Sequence, residues 1–308
     1  MSDQPLAAAR VSMDLREPMR SAYAPPRSST ARSTVARLAK ENPIGLIGLT
    51  IIGVVVVVAI AAPLLAPADP TAQLARRLLE PSGTHLMGTD ELGRDVFSRI
   101  LFGSRISLYV GLVSVSLAVV LGVTTGVISG YFGGHLDTLV MRFADVILAF
   151  PALVLAIMIA GLLGANLTNA MLAIGLVYAP QFARVARGSV LTVKSEPYID
   201  AARLSGSTNA RIIVRHVMPN VVAPLIVMAT LSLSTAILTE ASLSFLGLGA
   251  QPPEPSWGTM LNTGRRVMEL APWVVIFPGL AIMLVVQGFN FFGDGLRDAL
   301  DPKLRGTN

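Results

Sequence analysis

The stretch NPIGLIGLTIIGVVVVVAIAAPLLAPA, residues 42–68, runs for 27 positions without a charged side chain. A helix needs about 20 mostly apolar residues to cross a bilayer, so this run is long enough. Buried strands of a soluble α/β protein are short, about 4–8 residues, and do not account for it. Four more uncharged runs follow: Ile106 to Gly134, Val146 to Ala183, Val217 to Thr239 and Leu270 to Gly293. The run from Val146 holds most of two helices. Composition agrees: 53% of the 308 residues are hydrophobic and 14% are charged, more apolar surface than a soluble chain of this length needs.

These runs predict an all-α, polytopic membrane protein with six transmembrane helices. The predicted spans are roughly 43–66, 107–131, 136–163 with an interruption at Pro151, a fourth after the polar turn 164–169 that ends near Phe182, 221–246 and 272–292. Residues 1–42 carry scattered Arg, Ser, Ala and Pro with no apolar period and are predicted to be a disordered cytoplasmic tail ahead of a transmembrane domain over 43–305. A cleaved signal peptide is not expected, because the first apolar run starts too far in and is too long for one. With the amino terminus inside, 17 of the 24 Lys and Arg residues fall on inner segments, which predicts both termini in the cytoplasm. The same bias explains the net charge of +5 as a membrane signature, so lipid rather than nucleic acid is the expected partner.

Much chemistry is missing. Without cysteine there are no disulfides, thiolate metal sites or cysteine nucleophiles. His85, His135 and His216 fall in three different predicted segments and make no metal-ligand pair. There is no H-E-x-x-H and no G-x-S-x-G. The only lysines are Lys40, Lys194 and Lys303, and none follows a glycine, so no phosphate-binding G-K-[ST] loop exists. No catalytic residue, metal or cofactor is expected in this chain, and it does not read as an enzyme. Energy for uphill transport must come from a partner or from an ion gradient.

The cytoplasmic segment 195–220 reads as two short helices. Ser195 suits an N-cap and Pro197 a first turn, a helix over 196–205 stops at Gly206, and a second helix capped by Ser207 or Thr208 runs toward Met218 and stops at Pro219. Ala201 and Ala202 are small enough to admit another backbone, and Tyr198 and Leu204 offer apolar contact, as on a helix lying in a partner's groove. A surface helix packed on its own bundle is the alternative.

Elsewhere, Gly122, Gly126 and Gly130 share one face of the second span and predict close helix packing, with a substrate groove as the lesser reading. Glu240, an intramembrane charge toward the outer end of span five, is weighed between a bundle-facing gating or structural role and contact with substrate, for instance a peptide's amino group. Arg142 and Asp145, three apart, are expected to pair on one helix face. In the external segment 67–105, Asp90, Arg94, Asp95 and Arg99 are read as a solvated surface helix with an Asp95–Arg99 pair. The alternative reading makes Arg94 and Arg99 docking contacts for another protein on the outer face.

The spacing Asp200-Ala201-Ala202, three residues, Gly206, nine residues, His216, one residue, Met218-Pro219 resembles the E-A-A-x3-G-x9-I-x-L-P loop of ABC-importer permeases, with Asp for Glu, His for Ile and Met for Leu. Residues 88–105, GTDELGRDVFSRILFGSR, and Glu240 to Gly249 with Pro252-Pro253 and Pro255-Ser-Trp-Gly258 look like stretches of C-type permeases of the dipeptide/oligopeptide family. The resemblance covers roughly 40–305. It implies the transmembrane domain of a type I ABC importer that forms half of a pathway for dipeptides or oligopeptides. It also implies a second, homologous B-type permease, two cytoplasmic ATPases that bind ATP and Mg²⁺, an external binding protein, and a bacterial inner-membrane location. By position it assigns ATPase coupling to Tyr198, Asp200, Ala201, Ala202, Leu204, Gly206 and Pro219. Related systems carry nickel, glutathione or other solutes, and a gradient-driven secondary transporter is the rival mechanism.

Overall fold

The computed structural model describes residues 43–73 and 75–300. The predicted tail 1–42 and the end of the predicted transmembrane domain lie outside them. The described residues form helices joined by short irregular segments, with one isolated bridge between Thr89 and Asp95 and no strand. In chain order they are α1 (Pro43–Leu65), α2 (Val96–Phe132), α3 (Gly134–Leu148), α4 (Ala152–Leu163), α5 (Leu167–Lys194), α6 (Pro197–Leu204), α7 (Asn209–Ile212) continuing through a π-helical turn (Ile213–Val217) into α8 (Met218–Phe245), then α9 (Trp257–Gly264) and α10 (Trp273–Leu300).

Four helical stretches are long and apolar enough to cross a membrane: α1, α2, the continuous helix Asn209–Phe245 and α10. The pair α3–α4 makes five if it is counted as one span. α5 adds a sixth candidate. At 28 residues it is about 42 Å long. Its polar Asn169, Gln181, Arg184 and Arg187 dilute its hydropathy, but it runs through the interior, where neighbouring helices rather than lipid cover Ile174, Phe182, Ala186 and Val190. The count is consistent with six spans.

The third span is interrupted at Pro151 as expected, breaking into helices bent by 92°, and four other expectations are revised. Pro151 lacks the N–H that would continue α3, and its ring would meet the preceding turn. α4 alone, at 12 residues, is about 18 Å long and falls short of the hydrocarbon core. The second span begins eleven residues earlier than predicted, at Val96, because Asp95 caps it by accepting the Ser98 N–H at 2.8 Å. The fourth span does not end near Phe182. It continues to Lys194, since Arg184 and Arg187 are met by carboxylates of α3. Arg184 reaches Asp145 at 2.7 Å, and Arg187 makes a two-point contact with Asp137 at 2.5 and 2.6 Å. Asp145 therefore pairs with Arg184 across helices and not with Arg142 along its own. Finally, the chain does not stop at Pro219. The wider π turn just before it absorbs the missing hydrogen bond, and Pro219 sits in the first turn of α8, where its absent N–H is tolerated.

The bundle is organised around α2 against α5, its most extensive pairing. Gly122 and Gly126 lie directly on the α5 backbone. A methyl group added at Gly122 would meet the Ala179 carbonyl, and one at Gly126 the carbonyl of Ala183. At Gly130 the approach relaxes to 3.2 Å from the Arg187 carbonyl. Lipid tails are as apolar as leucine, so helix association in a bilayer relies on this kind of close van der Waals contact. α1 packs on α10 in the same manner, with Gly48 against the backbone at Gly288 and Phe292. The outer face of α1 (Val54, Val57, Ile60, Leu64) is left exposed to lipid.

Replacing Gly126 with leucine is expected to destabilise the folded protein by about 1–3 kcal/mol through overpacking. Gly53→Leu, at a position with open space around it, should leave the thermal transition in detergent unchanged. Equal transitions for the two variants would contradict the packing described.

Candidate functional site

The segment after α5 is built from the bundle outward. Ser195 does not cap the next helix; it closes α5 as its C-cap. Glu196, in an extended conformation, precedes α6, with Pro197 in the first turn. Gly206, at φ +80°, ends α6, while the N–H groups of Gly206 and Ser207 return to the carbonyls of Arg203 and Ala202 at 2.9 and 3.1 Å. Thr208 caps α7, accepting the Arg211 N–H at 3.4 Å.

The segment has two faces. Inward, Ile199, Ile212 and Val217 are completely buried and belong to the main apolar core shared by α2, α5 and α8. Outward, Tyr198, Asp200, Ala201 and Leu204 are exposed, Leu204 at 91%. Ala202 lies between the faces. Asp200 meets only Arg203, at 3.1 Å on the surface.

Two hydrogen bonds tie this region to the end of α2. Lys194 donates to the Tyr131 carbonyl at 2.6 Å, which places a cation at the negative end of α2. Its ammonium lies 5.7 Å from the centre of the Tyr131 ring. The buried Tyr131 hydroxyl donates to Asn209 Oδ1 at 2.9 Å. At the far end, Asn220 donates to the His216 carbonyl at 2.7 Å within the π turn, and Tyr198 leans on His216. Sequence reasoning missed Tyr131, Asn209 and Ile199. Tyr131 and Asn209 are 78 positions apart, and no local pattern links them. The placing of Ile199 opposite Asp200 and Ala201 was available from helical periodicity.

The external charges are not a solvated helix. Asp90, Arg94, Asp95 and Arg99 are all buried. Arg94 binds Asp90 at 2.6 Å, Arg99 donates to the Pro70 carbonyl at 2.9 Å, and Asp95 takes Ser98 and His85 in place of Arg99. The predicted exposure of Arg94 and Arg99 as docking contacts is thereby corrected. The segment before α2 folds back over these side chains and is pinned by the Trp273 indole on the Thr89 carbonyl at 3.3 Å.

Glu240 faces the bundle and is fully buried. Ser244 and Ser256 donate to its Oε1 at 2.7 and 3.1 Å, and Ser244 also accepts the Ala250 N–H at 3.0 Å. The carboxylate thus ties the end of α8 to the turn preceding α9. Its second oxygen, Oε2, has no partner among the described residues.

The described residues thus form an all-helical bundle with apolar spans and, at one end, a short anchored helix with an exposed face. Comparison with known proteins gives the family. Residues 122–306 match the binding-protein-dependent transport system inner membrane component, and residues 32–81 match the N-terminal transmembrane domain of oligopeptide transport permease C. The dipeptide transport system permease protein DppC of Alkalihalophilus pseudofirmus is 49% identical over 267 residues, 86% of this chain and 88% of that protein. The protein of the same name from Haemophilus influenzae is 44% identical over 273 residues, 86% of this chain and 92% of its own length. The glutathione transport system permease protein GsiD of Escherichia coli O157:H7 is 47% identical over 253 residues, 82% of this chain and 84% of that protein. The chain belongs to the family of binding-protein-dependent ABC-importer permeases and is a multi-pass inner-membrane protein.

Arg94→Ala removes the closest cation from the buried Asp90, which keeps two backbone N–H donors and Arg99 at 3.7 Å, and is expected to cost about 2–4 kcal/mol, read as a lowered thermal transition and reduced yield. Arg203→Ala, at an exposed pair, should show no measurable change in either. A normal transition for Arg94→Ala would restore the reading of a surface residue.

Proposed function

We propose that this chain is the C-type permease of an importer of dipeptides and short oligopeptides. It forms half of the pathway beside a homologous B-type permease. Two cytoplasmic ATPases bind ATP and Mg²⁺, and an external binding protein delivers the peptide. Both termini face the cytoplasm, which puts α6 on the ATPase side and the Arg94 knot outside. The residue 43–305 unit is the permease domain.

The observation that carries this reading is the division of α6 into a buried face at Ile199 and an exposed face at Tyr198, Asp200, Ala201 and Leu204. The exposed face enters a cleft of the ATPase, where the small Ala201 and the half-covered Ala202 allow close approach. Asp200 supplies the acidic contact. Gly206 sets the angle at which the chain returns, and Pro219, beyond the π turn, sets where α8 begins. Closure of the ATPases then moves α6 as a lever fixed to α2 and α5. Peptide cargo is supported by the names of the relatives above, which transport dipeptides and glutathione. An importer of nickel or another small solute is the competing reading.

Gly206 has open space around it but requires a positive φ. Gly206→Trp should therefore change the course of the loop without disturbing the core. In vesicles holding the whole transporter, uptake of a labelled dipeptide should fall at least tenfold while the subunits still copurify and ATP is still hydrolysed. Unimpaired uptake would contradict the coupling role. Vanadate should abolish wild-type uptake, and uptake that survives vanadate but collapses with the proton gradient would favour a secondary transporter.

A further inference from the structure

We infer that the cleft enclosed by α5, α8 and α10 is this chain's peptide-binding wall, with Gln181 meeting the peptide backbone and Arg297 meeting its carboxylate at the inner mouth. The inference rests on the reading of a peptide importer and adds to it the surface that the cargo touches.

The cleft measures about 810 Å³, and its polar lining comes from Gln181, Asn220, Ser232, Thr235 and Arg297. Asn220 and Thr235 are fifteen residues apart on α8, about 22 Å of helix. The cleft therefore begins at the docking loop and reaches more than halfway across a hydrocarbon core of about 30 Å. Beyond Thr235 the polar lining ends: the same face of α8 continues through the half-exposed Leu238 into a separate groove of about 420 Å³ lined by Leu153, Leu238, Ser242 and Phe245, while Glu240 is closed in by its two serines.

Its chemistry differs from that of the second large groove, of about 800 Å³, which runs past Leu139, Phe143, Ile147 and Leu176 and is hydrocarbon almost throughout. Such a surface suits lipid or an apolar helix. The α5–α8–α10 cleft instead holds Gln181 near the middle of α5, with an amide that makes no hydrogen bond among the described residues, and Arg297, with no carboxylate partner among them. Polar groups at membrane depth are costly unless they face a cavity or a partner. An amide donates and accepts, as a peptide backbone does, and a guanidinium binds a carboxylate through paired N–H groups. Between them lie Val227, Met228 and Leu231, an apolar surface with an adaptable methionine that suits cargo side chains of varied shape.

The chain contains no cysteine, so single thiols can be placed without background from it. In inside-out vesicles of the complete transporter, Gln181→Cys and Thr235→Cys should react with a charged, membrane-impermeant methanethiosulfonate, read as a mass shift of this chain. Ile60→Cys, on the lipid face of α1, should not react. With a dipeptide such as Ala-Ala and the binding protein sealed in the lumen, adding ATP to the medium should slow labelling of Gln181→Cys at least threefold. Gln181→Leu should raise the KM for dipeptide uptake about fivefold or more, with Gln181→Asn in between. Two outcomes overturn the assignment: thiols closed to the reagent, which would mean that the partner permease or lipid fills the cleft, or an unchanged KM in Gln181→Leu alongside working wild-type uptake. If wild-type vesicles import another solute and that solute, not the dipeptide, protects Gln181→Cys, the binding wall stands and the peptide reading falls.

Discussion

The contact of α2 with α5 at Gly122 and Gly126 governs the rest of the molecule. With no side chain between them, the backbones touch, and in a medium that supplies no hydrophobic drive the dispersion gained there holds the pair. The approach loosens toward Gly130 but does not end, because Tyr131 and Lys194 join the two helices at their last turns. α5 is thereby fixed along its length, and the segment with α6 that follows it starts from a fixed point. The cleft facing α8 uses the opposite side of the same helix.

Charge is handled differently at the two ends. At the loop end, Asp137 and Asp145 of α3 meet Arg187 and Arg184 of α5, so a helix with two arginines continues past the point where hydropathy would end it. At the other end the arginines turn inward. Asp90, Arg94 and Arg99 form a buried knot that holds the segment before α2 against the bundle. Pairs of this kind add little net stability over apolar packing, yet losing one partner is expensive, so they specify one arrangement of a segment without regular structure. Glu240 does comparable work between α8 and α9, where two serines satisfy one of its oxygens.

The segment 195–220 shows how a short helix, too small to be stable alone, becomes a fixed element. Eight residues of α6 would not hold as an isolated helix. Ile199, Ile212 and Val217, buried in the main core, supply the missing stability, and the bonds to Tyr131 and Asn220 fix the orientation. Of the outward residues, Tyr198 shares in that anchoring, while Ala201 and Leu204 are left exposed. The π turn before Pro219 then passes the chain into α8 without a break, so the segment is continuous with the helix that lines the cleft.

The sequence by itself determined the membrane class, since a bilayer demands long uncharged runs and those can be counted along the chain. It also placed the two short helices after α5 and the turn at Gly206 between them, because capping and positive φ are local requirements. It did not reveal where charges go. Asp145 lies three residues from Arg142 yet pairs with Arg184, 39 positions away, and Arg94 and Arg99 look solvated until the segment from Pro70 to Thr89 covers them. The end of α5 was misplaced for the same reason, and Pro219 reads as a stop only if the preceding turn is α-helical. Tertiary structure alone decided these points, because burial and ion pairing depend on which distant segments meet, and that is settled by packing across the bundle and not by spacing along the chain.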